Sequence, residues 1–198
     1  EMEARCKIVA QDWDGIIPSL LARKYDAIIA AMSITEERKK KIDFTEKYAL
    51  ISNKFVAKKG TDLVMTKEGL KGVTVGVQRA TTHDKYLTDN FGKGVDLKRY
   101  GSFDEAYLDL KAGRIDTVLG DASALEEGLI NKPGGKAYEF VGPSLTDPKW
   151  FGDGFGIATR KQDKDLTKQL NAAIQSLREK GIYQEIAAKY FNYDVYGE

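Results

Sequence analysis

The chain has 198 residues, of which 42% are hydrophobic and 31% charged, a composition typical of a globular protein with one large core or two smaller ones. Its 31 basic residues nearly balance its 30 acidic residues, and a net charge of +1 provides no field that would recruit nucleic acid or an anionic membrane. No apolar run approaches the roughly eighteen residues of a membrane-spanning helix, and the single cysteine, Cys6, excludes a disulfide within the chain and a cysteine-based metal site.

Six apolar runs predict β-strands, and helical stretches separate most of them. The runs are residues 6–10, 26–31, 54–57, 73–77, 115–120 and 138–141. Alternation of strands and helices is typical of parallel sheets joined by crossover helices. The sequence therefore predicts an α/β protein.

One pattern occurs twice in the chain. Residues 24–31 (KYDAIIAA) return in chemical type at residues 114–121 (RIDTVLGD), and each copy follows a helical stretch and ends in small residues. Small residues at a strand end let a ligand approach the backbone, and self-similarity favours two like-built units with a cleft. The alternative is that any two helix-to-strand turns in an α/β protein resemble each other.

Three helices are predicted by apolar residues at intervals of three and four. The first begins after Ser102, which is placed to form a capping box with Glu105, and ends before Gly113. The other two lie near the C-terminus, separated by Gly181, and we expect them to pack together. The apolar positions of the first are Phe103, Ala106, Tyr107 and Leu110, and those of the other two are Leu166, Leu170, Ala173, Ile174 and Leu177, then Ile182, Ile186 and Tyr190.

A glycine cluster at residues 152–156 (GDGFG) has the spacing of a dinucleotide-binding loop. A phosphate site needs helix amides aimed at the anion, and no helix is predicted directly after this cluster. A flexible segment that crosses between two lobes is the better interpretation.

Candidate residues for binding an anion follow two of the predicted strands. Thr81 and Thr82 precede a helical stretch, so that their hydroxyls and the first helix amides would face a carboxylate, or would simply cap the helix. Ser33 and Thr35 occupy the matching place after residues 26–31, and Arg38, one turn later, could bind a carboxylate with two hydrogen bonds. The run EERKKK around Arg38 also fits a solvated charged face.

Three further side chains are candidates for a site. Asp121 ends an apolar run, where a carboxylate either caps the next helix or binds a ligand ammonium. Trp13, at the end of the first predicted strand, either covers a ligand stem or cation or packs in a core. His83 has no second histidine and no cysteine at metal-ligand spacing, so we expect a surface or cleft-edge histidine, no metal and no other cofactor.

Three stretches resemble the type II periplasmic solute-binding proteins for polar amino acids: WDGIIPSL at 13–20, YDAIIAAMSITEER at 25–38 and IDFT at 42–45. The ending KYFNYDVYG at 189–197 is similar to that of the lysine/arginine/ornithine-binding and histidine-binding members. The resemblance covers essentially the whole chain. It implies a two-lobed α/β periplasmic binding protein type II fold with two interlobe crossings, which closes on one amino acid in the periplasm and delivers it to the permease of an inner-membrane ABC importer.

The resemblance also implies a division of the chain. Residues 1–50 and 155–198 would form lobe I, residues 54–146 lobe II, and residues 51–53 and 147–154 the hinge segments. The family begins with a strand, a loop and a helix that this chain lacks, including the cysteine that would pair with Cys6. We expect a complete fold to be a monomer, and a chain without that segment to bind more weakly and to associate.

Site residues carry over from the resemblance one at a time. Arg38 matches the arginine that clamps the ligand α-carboxylate, helped by Ser33, Thr81 and Thr82. Asp121 matches the carboxylate that receives the α-ammonium.

The remaining matches concern the ligand side chain. Trp13 occupies the aromatic position that stacks on it, and Gln78 and His83 line the opposite wall. Ala30 and Ala31 stand where binders of basic amino acids commonly have serines. The resemblance therefore implies a roomier pocket at these positions, where backbone groups in place of side-chain hydroxyls contact the ligand.

The predicted function is binding without catalysis of arginine, lysine, ornithine or histidine. A larger arginine-derived opine is an alternative ligand. An enzyme resembling the cyclohexadienyl type of dehydratase would need a general acid, for which His83 and Asp121 are the candidates. A third alternative, the ligand-binding half of a receptor, would require a membrane segment.

Overall fold

The computed structural model describes residues 1–197. In chain order the strands are β1 (Ala27–Ile28), β2 (Asp43–Ala49), β3 (Asn53–Lys58), β4 (Thr74–Gln78), β5 (Asp96–Tyr100), β6 (Thr117–Asp121), β7 (Tyr138–Leu145) and β8 (Phe155–Thr159). The α-helices are α1 (Ile16–Leu21), α2 (Glu36–Lys39), α3 (Thr82–Phe91), α4 (Phe103–Lys111), α5 (Ala122–Leu125), α6 (Pro148–Phe151), α7 (Lys164–Glu179) and α8 (Ile182–Ala187). A 3-10 turn spans Trp13–Gly15, and a π-helical turn, Glu126–Ile130, follows α5.

The chain divides into two compact units. Unit 1 contains Glu1–Gln11, Gly15–Ile51 and the chain from Gly152 onward, and unit 2 contains Asp12–Asp14 and Ser52–Phe151. The chain therefore passes between the units more than once, and each unit has its own sheet. In the part of the chain that the structure describes, no helix is long and apolar enough to cross a membrane.

Unit 1 contains a three-stranded sheet in the order β1-β8-β2. Both pairings are antiparallel, so the prediction of parallel pairing is wrong for this unit. The central strand β8 comes from the far end of the chain and lies between β1 and β2. These strands are therefore not successive parallel strands joined by a crossover helix. Strand β1 is also shorter than predicted, with two residues in place of the run 26–31.

The predicted strand at residues 6–10 is wrong. Within the described residues, positions 1–12 form neither helix nor strand, and Ile8 is 96% exposed. An apolar run forms a strand only when a neighbouring strand takes up its backbone hydrogen bonds. The composition of these five residues could not reveal whether such a neighbour exists.

Unit 2 contains a five-stranded mixed sheet in the order β5-β4-β6-β3-β7. Strand β4 pairs in parallel with β5 and β6, and α3 and α4 connect these strands as crossover helices. Strand β3 pairs antiparallel with β6 and β7. The predicted parallel sheet is therefore correct for three strands and wrong for the other two, because β3 enters from unit 1 in the opposite direction.

Alternating side chains build a core on each face of the unit 2 sheet. Val56 of β3 and Val118 of β6 lie in one buried cluster together with residues of α4 and α5. Their chain neighbours Phe55 and Leu119 lie in a second cluster, which includes Leu87 of α3. Successive residues of a strand point to opposite faces, so a strand buried on both faces is apolar throughout.

The predicted helix ends are confirmed. Ser102 and Glu105 form the capping box of α4, with both of its hydrogen bonds present. Near the C-terminus α7 and α8 are separated by Gly181, which has a φ of 74°, and the two helices pack against each other. Local side-chain chemistry and apolar spacing are sufficient signals for these helices.

The two copies of the repeated pattern share a backbone turn. Arg23 and Gly113 occupy the position just after a helix with φ values of 59° and 69°. The following residues, Lys24 and Arg114, each donate their amide to the carbonyl five residues earlier, at 3.0 and 2.9 Å. This is the hydrogen bond of a Schellman motif, which favours glycine at the left-handed position.

We expect opposite effects from exchanging the residue types at these two turns. Gly113→Ala should lower the free energy of unfolding by about 1 kcal/mol, because an L side chain is strained at a positive φ. Arg23→Gly should raise it by about 0.5 kcal/mol by removing the same strain. Urea denaturation measures both.

Gly94→Ala is the matched control for Gly113→Ala. A Cβ at either glycine would meet nothing within 4 Å, but Gly94 does not have a positive φ. Equal losses for Gly113→Ala and Gly94→Ala would contradict the assignment of the cost to the backbone angle.

Candidate functional site

In unit 1 the side chain of Arg38 is held by its own segment. Its Nη1 donates to the carbonyl of Ser33 at 2.9 Å, and its backbone amide donates at 3.3 Å to the Oγ1 of Thr35, which caps α2. Ser33 is 5% exposed and Arg38 is half-buried. The alternative of a solvated charged face describes Lys39, which pairs in solvent with Glu36 at 2.8 Å, but not Arg38.

The segment that carries Ser33 is built into the sheet of unit 1. Ser33 forms an isolated bridge with Phe155, and the amide of Ile34 donates to the carbonyl of Gly154 at 2.8 Å. Gly154 has a φ of 104°, and a Cβ there would lie 2.7 Å from the Ala49 carbonyl. The glycine cluster thus permits close packing beside β8, and a strand, not a helix, follows it.

The backbone at Ala31 is oriented by a tyrosine. Ala31 has a φ of 49°, and its amide donates to the Tyr48 hydroxyl at 2.9 Å. Ala30, its neighbour, is exposed. Sequence reasoning missed Tyr48, because its strand position carries no signal that its hydroxyl reaches residue 31.

In unit 2 the two threonines lie at the beginning of α3. The Oγ1 of Thr81 accepts a hydrogen bond from the amide of Asp84 at 3.2 Å and donates to the carbonyl of Gln78 at 2.7 Å. Thr81 and Thr82 are 8% and 9% exposed. Amides in the first turn of a helix have no carbonyl partner within it, and the helix dipole is positive there. This end of α3 suits a carboxylate.

Trp13 belongs to unit 2 and lies beside the loop that leads to α3. Its Nε1 donates to the carbonyl of Ala80 at 3.2 Å, and next to it Asp14 pairs with Arg79 at 2.6 Å. The prediction that Trp13 ends a strand is therefore wrong, because it lies in a 3-10 turn. Trp13 is half-buried. Gln78 ends β4 and donates its Nε2 to the Gly101 carbonyl at 2.9 Å.

Asp121 ends β6 directly opposite Asn53 of β3. It occupies the N-cap position of α5, yet its carboxylate makes no capping hydrogen bond. Helix capping, one of the two roles considered for this residue, is therefore not realised. The side chain is 14% exposed, so that its charge lies close to the surface of unit 2.

His83 is buried, and the prediction of a surface or cleft-edge histidine is wrong. It is 2% exposed, and its ring packs against Phe103 and Phe151 with centroids 6.4 and 5.9 Å away. Its Nε2 lies 2.7 Å from Oδ1 of Asn53 and 3.7 Å from Oδ1 of Asp121. Sequence reasoning missed Asn53, whose signal was an amide side chain two residues before the apolar run 55–57.

The charge of Asp121 also affects the pKa of Tyr107 in α4. Burial raises the pKa of Tyr107 well above its ordinary value, and the carboxylates of Asp104 and Asp121 raise it further. Tyr107 is therefore a neutral donor, and its hydroxyl donates to the carbonyl of Ala124 at 3.0 Å.

The candidate residues form one group in each unit. Unit 1 holds Ala30, Ala31, Ser33 and Arg38, and unit 2 holds Trp13, Gln78, Thr81, Thr82, His83 and Asp121. One group therefore offers a guanidinium, and the other a helix N-terminus, an indole ring and a carboxylate. Across residues 1–197, no group of three or more histidine, cysteine, aspartate or glutamate side chains is placed to hold a metal ion.

Comparison with known proteins identifies the family. The model of the bacterial extracellular solute-binding proteins, family 3, matches residues 1–193. The chain belongs to this family. The fold is accordingly that of the type II periplasmic binding proteins.

Individual relatives of this solute-binding protein bear specific names. The L-arginine-binding protein of Pseudomonas aeruginosa is 49% identical over 198 residues, which are 100% of this chain and 76% of that protein. The lysine/arginine/ornithine-binding periplasmic protein of Escherichia coli is 42% identical, with the same coverage. A solved periplasmic binding protein from Salmonella typhimurium, described for its high arginine specificity, is 34% identical with a TM-score of 0.87, covering 96% of this chain and 83% of its own.

The cap of α3 in this solute-binding protein makes a testable contribution to stability. We expect Thr81→Ala to lower the free energy of unfolding by about 1 kcal/mol, because the first turn loses its side-chain acceptor. Thr81→Ser keeps that acceptor and should stay within about 0.5 kcal/mol of the wild type. Urea denaturation compares them, and equal losses for the two variants would contradict the capping role.

Proposed function

We propose that the protein captures a polar, cationic amino acid, namely arginine, lysine, ornithine or histidine, and delivers it to an ABC importer. Membership of the solute-binding family and the names of the relatives support this function. Arginine is the first ligand to test, because all three proteins compared above have arginine in their name or description.

One observation carries the proposal: each unit presents one charge that an amino acid zwitterion requires. Arg38 is held half-buried by the Ser33 carbonyl at 2.9 Å. Asp121 stands at the end of β6 without capping α5. A guanidinium binds a carboxylate and a carboxylate binds an ammonium, so these two groups are of the types that the backbone ends of an amino acid require.

The other candidate residues have supporting roles. The N-terminus of α3, with Thr81 and Thr82, adds hydrogen bonds to the ligand carboxylate. Trp13 stacks on the ligand side chain, where a cation gains from the face of the indole ring. Gln78 lines the opposite wall.

The alanines leave room for a longer ligand. Ala30 and Ala31 have no side-chain hydroxyls, and the Ala31 amide already donates to Tyr48 at 2.9 Å. An arginine-derived opine, which adds a carboxylate-bearing branch, is the second candidate ligand and belongs in the same assay.

The proposed activity is binding without catalysis. A dehydratase-like reaction needs a general acid that can release a proton to the substrate. The Nε2 of His83 is 2.7 Å from Asn53 Oδ1, and Asp121 has a simpler use in binding an ammonium. The proteins compared above are likewise named or described as binding proteins.

The proposed setting is the periplasm, where the protein meets the permease of an inner-membrane importer. The name of the Escherichia coli relative, a periplasmic protein, supports this setting. We propose that residues 51–53 and 147–154 act as hinges and that the protein binds its ligand as a monomer. Two of the four boundaries between the units, at Ile51 and Ser52 and at Phe151 and Gly152, fall within these stretches, and the other two lie on either side of Asp12–Asp14.

The deciding experiment is isothermal titration calorimetry against arginine, lysine, ornithine, histidine, glutamine and octopine. We expect saturable one-to-one binding of at least one cationic amino acid. Preference for octopine would select the opine alternative, and no heat from any of the six would overturn the proposal.

Replacement of Arg38 tests the carboxylate contact. Arg38→Ala should weaken arginine binding by about 2–5 kcal/mol, because the ligand carboxylate then lacks its partner. That loss is a factor of roughly thirty or more in Kd. Lys39→Ala on the same helix is the control, and it should leave Kd unchanged because Lys39 pairs with Glu36 in solvent. An unchanged Kd for Arg38→Ala would remove this residue from the site.

Replacement of Trp13 tests the side-chain contact. Trp13→Ala should cost about 1 kcal/mol for arginine and less for glutamine, because the indole ring interacts best with a cation. Trp150→Ala, the other tryptophan, packs on Tyr86 with centroids 5.8 Å apart, and it should lower the melting temperature without changing ligand preference. Equal losses for every ligand with Trp13→Ala would mean that this ring is only structural.

A further inference from the structure

The environment of His83 determines which ring nitrogen carries its proton. Nδ2 of Asn53 donates to the carbonyl of Leu145 at 3.0 Å, so the amide nitrogen of Asn53 faces β7. The Oδ1 atom of Asn53 therefore faces His83, 2.7 Å from Nε2. An amide oxygen only accepts hydrogen bonds, so Nε2 must be the protonated nitrogen.

The same nitrogen lies close to the carboxylate proposed for the ligand ammonium. Nε2 of His83 is 3.7 Å from Oδ1 of Asp121, beyond hydrogen-bond length but within ion-pair range. Asn53 and Asp121 are directly opposite each other in the β3–β6 ladder, so their side chains share one face of the sheet. The ladder extends past them, because the Ala122 amide donates to the Ser52 carbonyl at 2.9 Å. The three side chains therefore form one contiguous group.

We infer that His83, oriented by Asn53, is a positioning residue for Asp121 and that its protonation weakens the binding of an amino acid. This inference rests on the proposed function and concerns the contact with the ligand α-ammonium. In the neutral form, the single N–H of His83 donates to Asn53, and the nearby Asp121 carboxylate keeps its full charge for the ligand. An imidazolium would add a full positive charge in competition with the ligand ammonium.

The charges around His83 are consistent with this coupling. Asp121 is the charged group that faces it from β6, while β3, α4 and α6 present Asn53, Phe103 and Phe151, which carry no charge. On its own helix, Asp84 pairs with Arg99 at 2.7 Å and Lys85 pairs with Asp89 at 3.0 Å. The electrostatic effect of protonating His83 therefore falls first on Asp121.

The sequence makes the inference unusually accessible to a pH titration. His83 is the chain's single histidine, so an affinity change centred near the pKa of a histidine has one candidate source. The ligand's own carboxylate and ammonium do not titrate between about pH 5 and 8. Arginine Kd, measured by calorimetry at intervals over that range, is the first readout.

We expect wild-type affinity to fall by about fivefold or more as the pH is lowered through that range, because the ligand ammonium and the proton on His83 oppose each other. His83→Gln keeps a side-chain N–H donor but cannot become charged. It should bind within about threefold of the wild type at pH 8 and show a flat profile. A flat wild-type profile, or an equal slope in His83→Gln, would overturn the inference.

A double-mutant cycle tests whether His83 acts through Asp121. His83→Leu should weaken arginine binding by about tenfold, and by less than about twofold when Asp121 has already been changed to Asn. Equal losses in both backgrounds would show a merely structural role and overturn the inference. Asn90→Ala, at the other end of α3, controls for general disturbance of this helix and should leave Kd unchanged.

The experiments distinguish a failure of the proposed binding function from a failure of the positioning role of His83. If the wild type binds none of the ligands at pH 8, the proposed function fails. If the wild type binds arginine but neither the pH profile nor the cycle depends on His83, the function stands and the positioning role fails. Should His83→Leu melt below the assay temperature, the comparison of the wild type with His83→Gln decides alone, because both retain a polar side chain at this buried position.

Discussion

The pairing register of β3 with β6 is the constraint on which the candidate site of unit 2 depends. It places Asn53 opposite Asp121 at the end of the ladder, and the apolar partners behind them, such as Phe55 and Leu119, keep this register. A slip of one residue would turn every side chain of the strand to the other face and would place Ser52 or Lys54, in place of Asn53, opposite Asp121. The two-sided core therefore places the polar pair, because burial of the alternate apolar residues holds the register of the two strands.

The two charges that we propose for ligand binding, Arg38 and Asp121, are less enclosed than a structural charge of the same chain. Arg160 is 3% exposed and is surrounded by partners, including the Leu20 and Tyr25 carbonyls at 3.0 and 2.6 Å and the carboxylates of Asp26 and Asp163 at 3.0 and 2.5 Å. Such a fully buried cation has to be surrounded by acceptors. Arg38 is half-buried and Asp121 is 14% exposed on its side chain, so both charges remain accessible from the surface of their units.

Much of the local structure could be predicted because it depends on neighbours in the sequence. The capping box of Ser102 and Glu105, the helix end at Gly113 and the break at Gly181 are all set by residues within one or two helical turns. Pairing direction was not predictable in the same way. Strand β8 enters the middle of the unit 1 sheet from the far end of the chain, and an apolar run carries no information about which strand it meets.

The sequence by itself determined the α/β composition, the main helices, most of the strands and, through its motifs, the family. It also indicated Arg38 and Asp121 as site candidates, because each follows an apolar run, where a charged group needs a partner of opposite charge or helix amides. Only the tertiary structure decided that His83 is buried against Asn53 and Asp121, and that Trp13 leaves its chain neighbours to join unit 2. The physical reason is that burial and hydrogen bonding depend on residues distant in sequence, which folding alone brings into contact.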